Sequence, residues 1–223
     1  MSVKDEIATG TRGTKFEVVV IPSDEDGCRF FLEKYKPFRL ASLQQDPHAF
    51  GSTYAREIGF DDETWLSRIK NPLATTFVAV QSADKQVVAS TSLIGPLPNA
   101  APASNPYQIV SEAIPRSDAT ANSSHHAEPL CFQMSAVYTS PEARGQGLAK
   151  SLIEAATEEA RSRAHGQGRP LVLSVVVYAT NSAAISVYER CGFARGVEEP
   201  KLVFNAFKNS SEMQLDMYYQ GAC

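Results

Sequence analysis

From residue 131 onward the sequence alternates β-type and helical patterns, and no other feature limits the fold so much. Residues 131–139 form a strand-type run, 147–164 carry an amphipathic helical period, Leu171-Val-Leu-Ser-Val-Val-Val-Tyr178 is strand-type again, and 182–191 is helical. Alternating elements of this kind bury their apolar faces by laying helices over a sheet. Further β-type runs at 15–21, 75–80, 87–94, 201–205 and 213–219 bring the expected total to about seven strands. The expectation is an α/β chain: a mixed sheet of about seven strands flanked by helices.

The first half adds helices to this frame. After Pro22 the pattern Ser23-x-x-Asp26 reads as a helix start, and Phe31, Tyr35 and Phe38 follow on one face, with a kink expected at Pro37 and a stop at Asp46-Pro47. A further helix is expected over 61–69, capped by Asp61 or Asp62, with Trp65 and Ile69 as a buried i, i+4 pair. The runs at 75–80 and 87–94 read as an antiparallel hairpin across a short polar loop. Six of the thirteen prolines then fall within 96–129, beside a Ser/Asn/Ala-rich stretch and His125-His126, so this segment reads as a flexible insertion loop inside one domain spanning 1–223.

Composition removes several functional classes. The 21 Lys and Arg against 25 Asp and Glu leave a net charge of −4, which offers no general field for a nucleic acid or an anionic membrane. Cys28, Cys131, Cys191 and Cys223 lie too far apart for metal-ligand spacing and are too few for a disulfide scaffold, so no metal site is expected. With no signal-like start and no apolar run of membrane-spanning length, the expected location is the cytoplasm, with the nucleus left open.

Chemistry concentrates in Ser140-Pro-Glu-Ala-Arg-Gly-Gln-Gly-Leu-Ala-Lys150, where a strand ends at a proline and a two-glycine turn opens an amphipathic helix. Glycines there let consecutive backbone N–H groups converge on an anion at the positive end of the helix dipole. The stretch is neither Gly-x-x-x-x-Gly-Lys-Ser/Thr nor Gly-x-Gly-x-x-Gly, which argues against nucleotide hydrolysis and dinucleotide binding. A second stretch, Asn181-Ser-Ala-Ala184-Ile-Ser-Val-Tyr188-Glu-Arg-Cys-Gly192-Phe193, places Asn181, Ala184 and Tyr188 on one helix face. Asn181 also suits a helix cap and Tyr188 a core aromatic.

Arg144-x-x-Gly147-x-Ala149 resembles the acyl-CoA signature of the GNAT superfamily of N-acetyltransferases, and the Asn181 to Phe193 stretch resembles that family's later motif in the same order. The opening 39–50 is similar to its first-helix region. The resemblance implies a GNAT-like, mostly antiparallel mixed sheet and transfer of an acetyl group from acetyl-CoA to an amine, without a covalent acyl-enzyme. It implies that the amides of Arg144, Gly145, Gln146, Gly147, Leu148, Ala149 and Lys150 hold the pyrophosphate, and that the backbone of Val137, Tyr138 and Thr139 pairs with the pantetheine arm. Asn181, with Ala184 beside it, would contact the same arm, and Tyr188 would protonate the departing thiolate. Many family members carry a Glu on the fourth strand, but 131–139 holds no carboxylate; this leaves the base unassigned, with Glu128, His126 and bulk water as candidates. The alternative is an acyl-CoA-binding module that serves as a sensor or partner-binding subunit with little turnover. The acceptor amine and the oligomeric state, a homodimer included, stay open.

Overall fold

Leu148, Leu152, Ala156, Ala160 and Ala164 recur every four residues and are all buried along one side of a long helix, and its alanines let that helix lie close on a sheet. The computed structural model describes residues 15–98 and 127–221. In chain order they form β1 (Phe16–Val20), α1 (Glu25–Phe30), one π turn (Phe31–Tyr35), α2 (Lys36–Gln45), α3 (Tyr54–Glu57), α4 (Asp62–Ile69), β2 (Ala74–Gln81) and β3 (Val87–Leu97). After the insertion come β4 (Leu130–Thr139), α5 (Leu148–Gly166), β5 (Leu171–Tyr178), α6 (Ser182–Arg190), β6 (Phe193–Arg195), β7 (Lys201–Asn205) and β8 (Ser210–Tyr219).

One sheet runs in the order β1-β2-β3-β4-β5-β8-β6, with β7 also paired to β8, and every pairing except β4 with β5 is antiparallel. This is the mixed, mostly antiparallel sheet flanked by helices that was expected, with an eighth strand. The extra strand, β6, spans only three residues, too few for a period-2 pattern to be visible. A core of Phe132, Met134, Leu173 and Val175 with α5 lies on one side of the sheet, and Val78, Val80, Phe31, Trp65 and Ile69 form another with α1 and α4.

Several local expectations change. Asp24, not the Ser23-x-x-Asp26 pair, caps α1: its carboxylate accepts from the Gly27 amide at 2.9 Å. Pro37 does not break the helix at its own position. The chain widens by one π turn before it, so that the Lys36 amide reaches Phe31 O, which relieves the clash a proline ring makes with the preceding turn. Asp61 is the cap of α4, with Trp65 and Ile69 buried as expected. Pro96 and Leu97 belong to β3, with Leu97 opposite Cys131, so the insertion starts later than position 96. Residues 99–126, and with them His125 and His126, lie outside the described residues. Among the described residues no helix is long and apolar enough to cross a membrane.

What positions a site is the central pair. β4 and β5 run in register from Leu130↔Leu171 to Met134↔Val175 and then part. Beyond that point β5 keeps its bonds to β8, while β4 follows β3 through a bulge around Ala136, whose φ of 55° lies in the left-handed region. The sheet therefore opens like a split between residues 135–139 and 176–178.

Candidate active site

The split leads into a cavity of about 550 Å³. Ser135, Ala136 and Val137 of β4 form one wall, Val176 to Tyr178 of β5 another, and Asn181, Ala184 and Tyr188 of α6 line it as well. Its far side comes from the first half of the chain and the β7–β8 turn: Arg39, Phe50, Arg56, Glu57, Phe60 and Arg68 together with Phe207. Asn205 ties these walls together by donating from Nδ2 to Gly51 O at 2.8 Å, while the Tyr178 hydroxyl donates to Phe50 O at 3.3 Å.

The two-glycine turn lies at the C-terminal end of β4. Gly145 and Gly147 have φ of 77° and 78°, a conformation that disfavours any side chain, and a Cβ on either would meet nothing within 4 Å. Among the described residues the amides of Gly145, Gln146, Gly147, Leu148, Ala149 and Lys150 donate to no protein acceptor, whereas the Arg144 amide already reaches Pro141 O at 3.2 Å. An uninterrupted run of free donors thus sits at the positive end of a 19-residue helix.

Arg144 and Tyr138 work through their side chains in a way the sequence did not show. Arg144 Nη2 donates to Asp46 Oδ2 at 2.6 Å and Nε to Thr139 O at 3.1 Å; the Tyr138 hydroxyl donates to the same Asp46 oxygen at 2.7 Å. Tyr138 is buried against Phe50 and Phe38, away from the cavity, and the hydrogen bond from its hydroxyl, joined by Arg144, holds the Asp46 carboxyl below its ordinary pKa. The glycine turn is thereby anchored to the end of α2.

On the other side, Asn181 both caps α6 and lines the cavity. Its Oδ1 accepts from the Ala184 amide at 3.1 Å, which leaves the Nδ2 hydrogens for another acceptor. Tyr188 is 6% exposed, edge-on to Phe193 at 5.6 Å, and its hydroxyl bonds to none of the described residues. Burial raises its pKa, so the proton stays on the oxygen at neutral pH.

Glu57 was missed by sequence reasoning. It is 1% exposed and accepts from Arg39 Nε and Nη2 at 3.2 and 2.9 Å and from Arg68 Nη1 at 3.1 Å. Burial pushes its carboxyl up, but the hydrogen bonds and charge of Arg39, with the charge of Arg68, outweigh that and hold it at about 2. The available signal was Arg56-Glu57 and Arg68 interleaved with Phe60 and Trp65; the partner Arg39 lies 18 residues from Glu57, beyond any local pattern. As for the base candidates, Glu128 precedes β4 at the end away from the split, roughly 25 Å from Ala136 along an extended strand.

A run of free amides after the C-terminal end of β4, beside an opening with a buried phenol in its wall, is the arrangement that a long carrier with a phosphate at one end and a reactive thioester at the other would use. The chain belongs to the acetyltransferase (GNAT) family, whose sequence model matches residues 61–193, more than half of its length. Solved structures agree on the fold. Spermidine N-acetyltransferase from Vibrio cholerae, in complex with CoA and spermine, aligns with a TM-score of 0.53 at 16% identity over 92% of this chain and 94% of that one. Arabidopsis thaliana NAA60 in complex with acetyl-CoA gives 0.56 at 14% identity over 91% and 98%. The ribosomal-protein-alanine N-acetyltransferase of Brucella melitensis gives 0.51 at 20% over 90% and 98%. No curated protein sequence matches the chain.

Proposed function

We propose that the protein transfers the acetyl group of acetyl-CoA to an amine by direct attack within a ternary complex. The observation that carries this reading is the parting of β4 and β5 beyond Met134 and Val175, with free amides at the turn after β4 and Tyr188 in the cavity wall. The amides of Gly145 to Lys150 receive the pyrophosphate. The backbone of Val137 to Thr139 pairs with the pantetheine arm as an added strand, Asn181 Nδ2 donates to the same arm, and the small Ala184 leaves room beside it. Arg144 and Tyr138 act through Asp46, holding the turn in place.

Acetyl-CoA supplies the activated acyl carbon. The amine's lone pair attacks that carbon, the carbon–sulfur bond breaks, and the sulfur takes the proton from the Tyr188 hydroxyl. A thiolate, whose thiol has a pKa near 8.5, is a weaker base than a phenolate near 10, and burial raises the phenol further, so the proton moves to sulfur as the carbon–sulfur bond breaks and charge develops there, not before. The ammonium proton leaves to water, and a proton from water restores the Tyr188 phenol before the next turnover. Glu57, the carboxylate in the cavity lining, is held at about 2 by Arg39 and Arg68 and is a poor proton acceptor.

The test is titration with acetyl-CoA followed by release of CoA thiol against a panel of small amines, peptide N-termini and lysine peptides. Thiol release with at least one class is expected. Binding without release across the panel would support the CoA-binding module instead, and absence of thermal stabilisation by acetyl-CoA would overturn both readings.

A further inference from the structure

We propose that the acceptor amine carries an anionic group, a carboxylate or a phosphate, and that Arg56 binds it. The inference rests on the acetyl-transfer reading of the same cavity and names its substrate class. The chain as a whole is net negative, yet among the described residues the charged side chains lining this cavity are Arg39, Arg56, Arg68 and Glu57, three cations against one anion. Glu57 is fully engaged by Arg39 and Arg68. Arg56 lies beside that cluster and feels its charges, but its Nη1 donates to Ser52 Oγ at 3.2 Å and it forms no ion pair with a carboxylate among the described residues.

Arg56 is also held in a fixed pose. Its guanidinium carbon lies 3.9 Å from the Phe207 ring centroid and 5.0 Å from that of Phe60, so two aromatic rings grip it and leave donor N–H groups for a planar or tetrahedral anion. The position is costly without one. Half-buried, with Arg68 as a like-charged neighbour, the cation is disfavoured on both counts: burial and then the charge of Arg68 lower its pKa, and the charge of Glu57 offsets them only in part. An anion arriving with the substrate would offset both effects. A polycation such as the spermine bound by the Vibrio cholerae enzyme would meet the same excess of positive charge as a penalty.

The experiment compares amines matched in length that differ at the far end: β-alanine, β-alaninamide, 1,3-diaminopropane and phosphoethanolamine, each assayed by CoA thiol release and, with CoA present, by calorimetry. Wild type is expected to favour the acids over the amide and the diamine, and the two acids separate carboxylate from phosphate. In Arg56→Met the acid-to-amide ratio of kcat/KM should fall about tenfold to a hundredfold, the worth of hydrogen bonds to a charged group. Arg56→Lys, which keeps the charge but loses the planar fork, should retain part of the preference and serves if the Met variant does not fold. A preference for the diamine or the amide, or an acid preference that survives in both variants, would overturn the inference. Arg56-dependent binding of an acid without thiol release would uphold the anion site while overturning the transferase reading; no binding of either acid would overturn the anion site itself.

Discussion

Glu57 keeps a full negative charge at 1% exposure because Arg39 and Arg68 close around it. Its folded pKa of about 2 lies below the ordinary 4.5, so the stability it contributes is complete above that ordinary value and is lost as pH falls toward about 2. The difference corresponds to about 3 kcal/mol. Glu57→Gln should therefore destabilise the protein by about 3 kcal/mol near neutral pH, and urea unfolding should show the gap to wild type closing below about pH 4. A gap that stays constant with pH would remove the charge from the account. Tyr188 is the other residue whose role rests on one atom. Because its hydroxyl has no partner among the described residues, Tyr188→Phe should leave stability and acetyl-CoA affinity nearly unchanged while turnover falls roughly 10²–10⁴-fold. Turnover within a few-fold of wild type would return Tyr188 to a purely structural place in the core.

At the scale of elements, the left-handed turn before α5 leaves its N-terminus without a side-chain cap. Gly147 caps the helix with φ of 78° and no side-chain bond, so the first amides face open space instead of a capping oxygen. Gly147→Val meets no steric clash but forces a β-branched residue into that conformation, at a cost of about 1–2 kcal/mol. The fold should persist by circular dichroism while acetyl-CoA affinity, read by calorimetry, drops sharply as the new side chain fills the phosphate's place. Wild-type affinity would end the assignment of the turn. The neighbouring anchor is testable too. Asp46→Asn leaves the shape but weakens the hold on Arg144 and Tyr138, so affinity should fall without loss of the catalytic step, as a higher KM for acetyl-CoA with kcat maintained.

For the molecule as a whole, the described residues of the cavity offer no carboxylate able to accept a proton near neutral pH, since Glu57 is locked in its ion pairs. The rate should then follow the acceptor's own ionisation. kcat/KM is expected to rise with pH up to the pKa of the amine used, and to flatten earlier for a less basic amine; a fixed inflection shared by all amines would reveal a base on the protein. We further propose that 1–223 is one domain with its insertion inside it, which calls for a single thermal transition raised by acetyl-CoA; two separated transitions would divide the chain.

Strand–helix alternation from residue 131, the glycine turn and the Asn181, Ala184, Tyr188 face were legible because each depends on residues within a few positions of one another, where spacing and dihedral preference decide. β5 and β7 begin and end where the residue pattern says, and Gly145 and Gly147 adopt the positive φ that their chemistry permits. The extent of the split is different in kind. That β4 and β5 part after Met134 and Val175 follows from each strand's longer commitment to another neighbour, β3 and β8, which no single segment records. The same holds for Asp46 under Tyr138 and Arg144, 92 and 98 residues away, and for Arg56 between Phe60 and Phe207. Local spacing determined where free amides gather at the start of α5; only the folded chain, by bringing distant charges and rings to one cavity, decided what that cavity can hold.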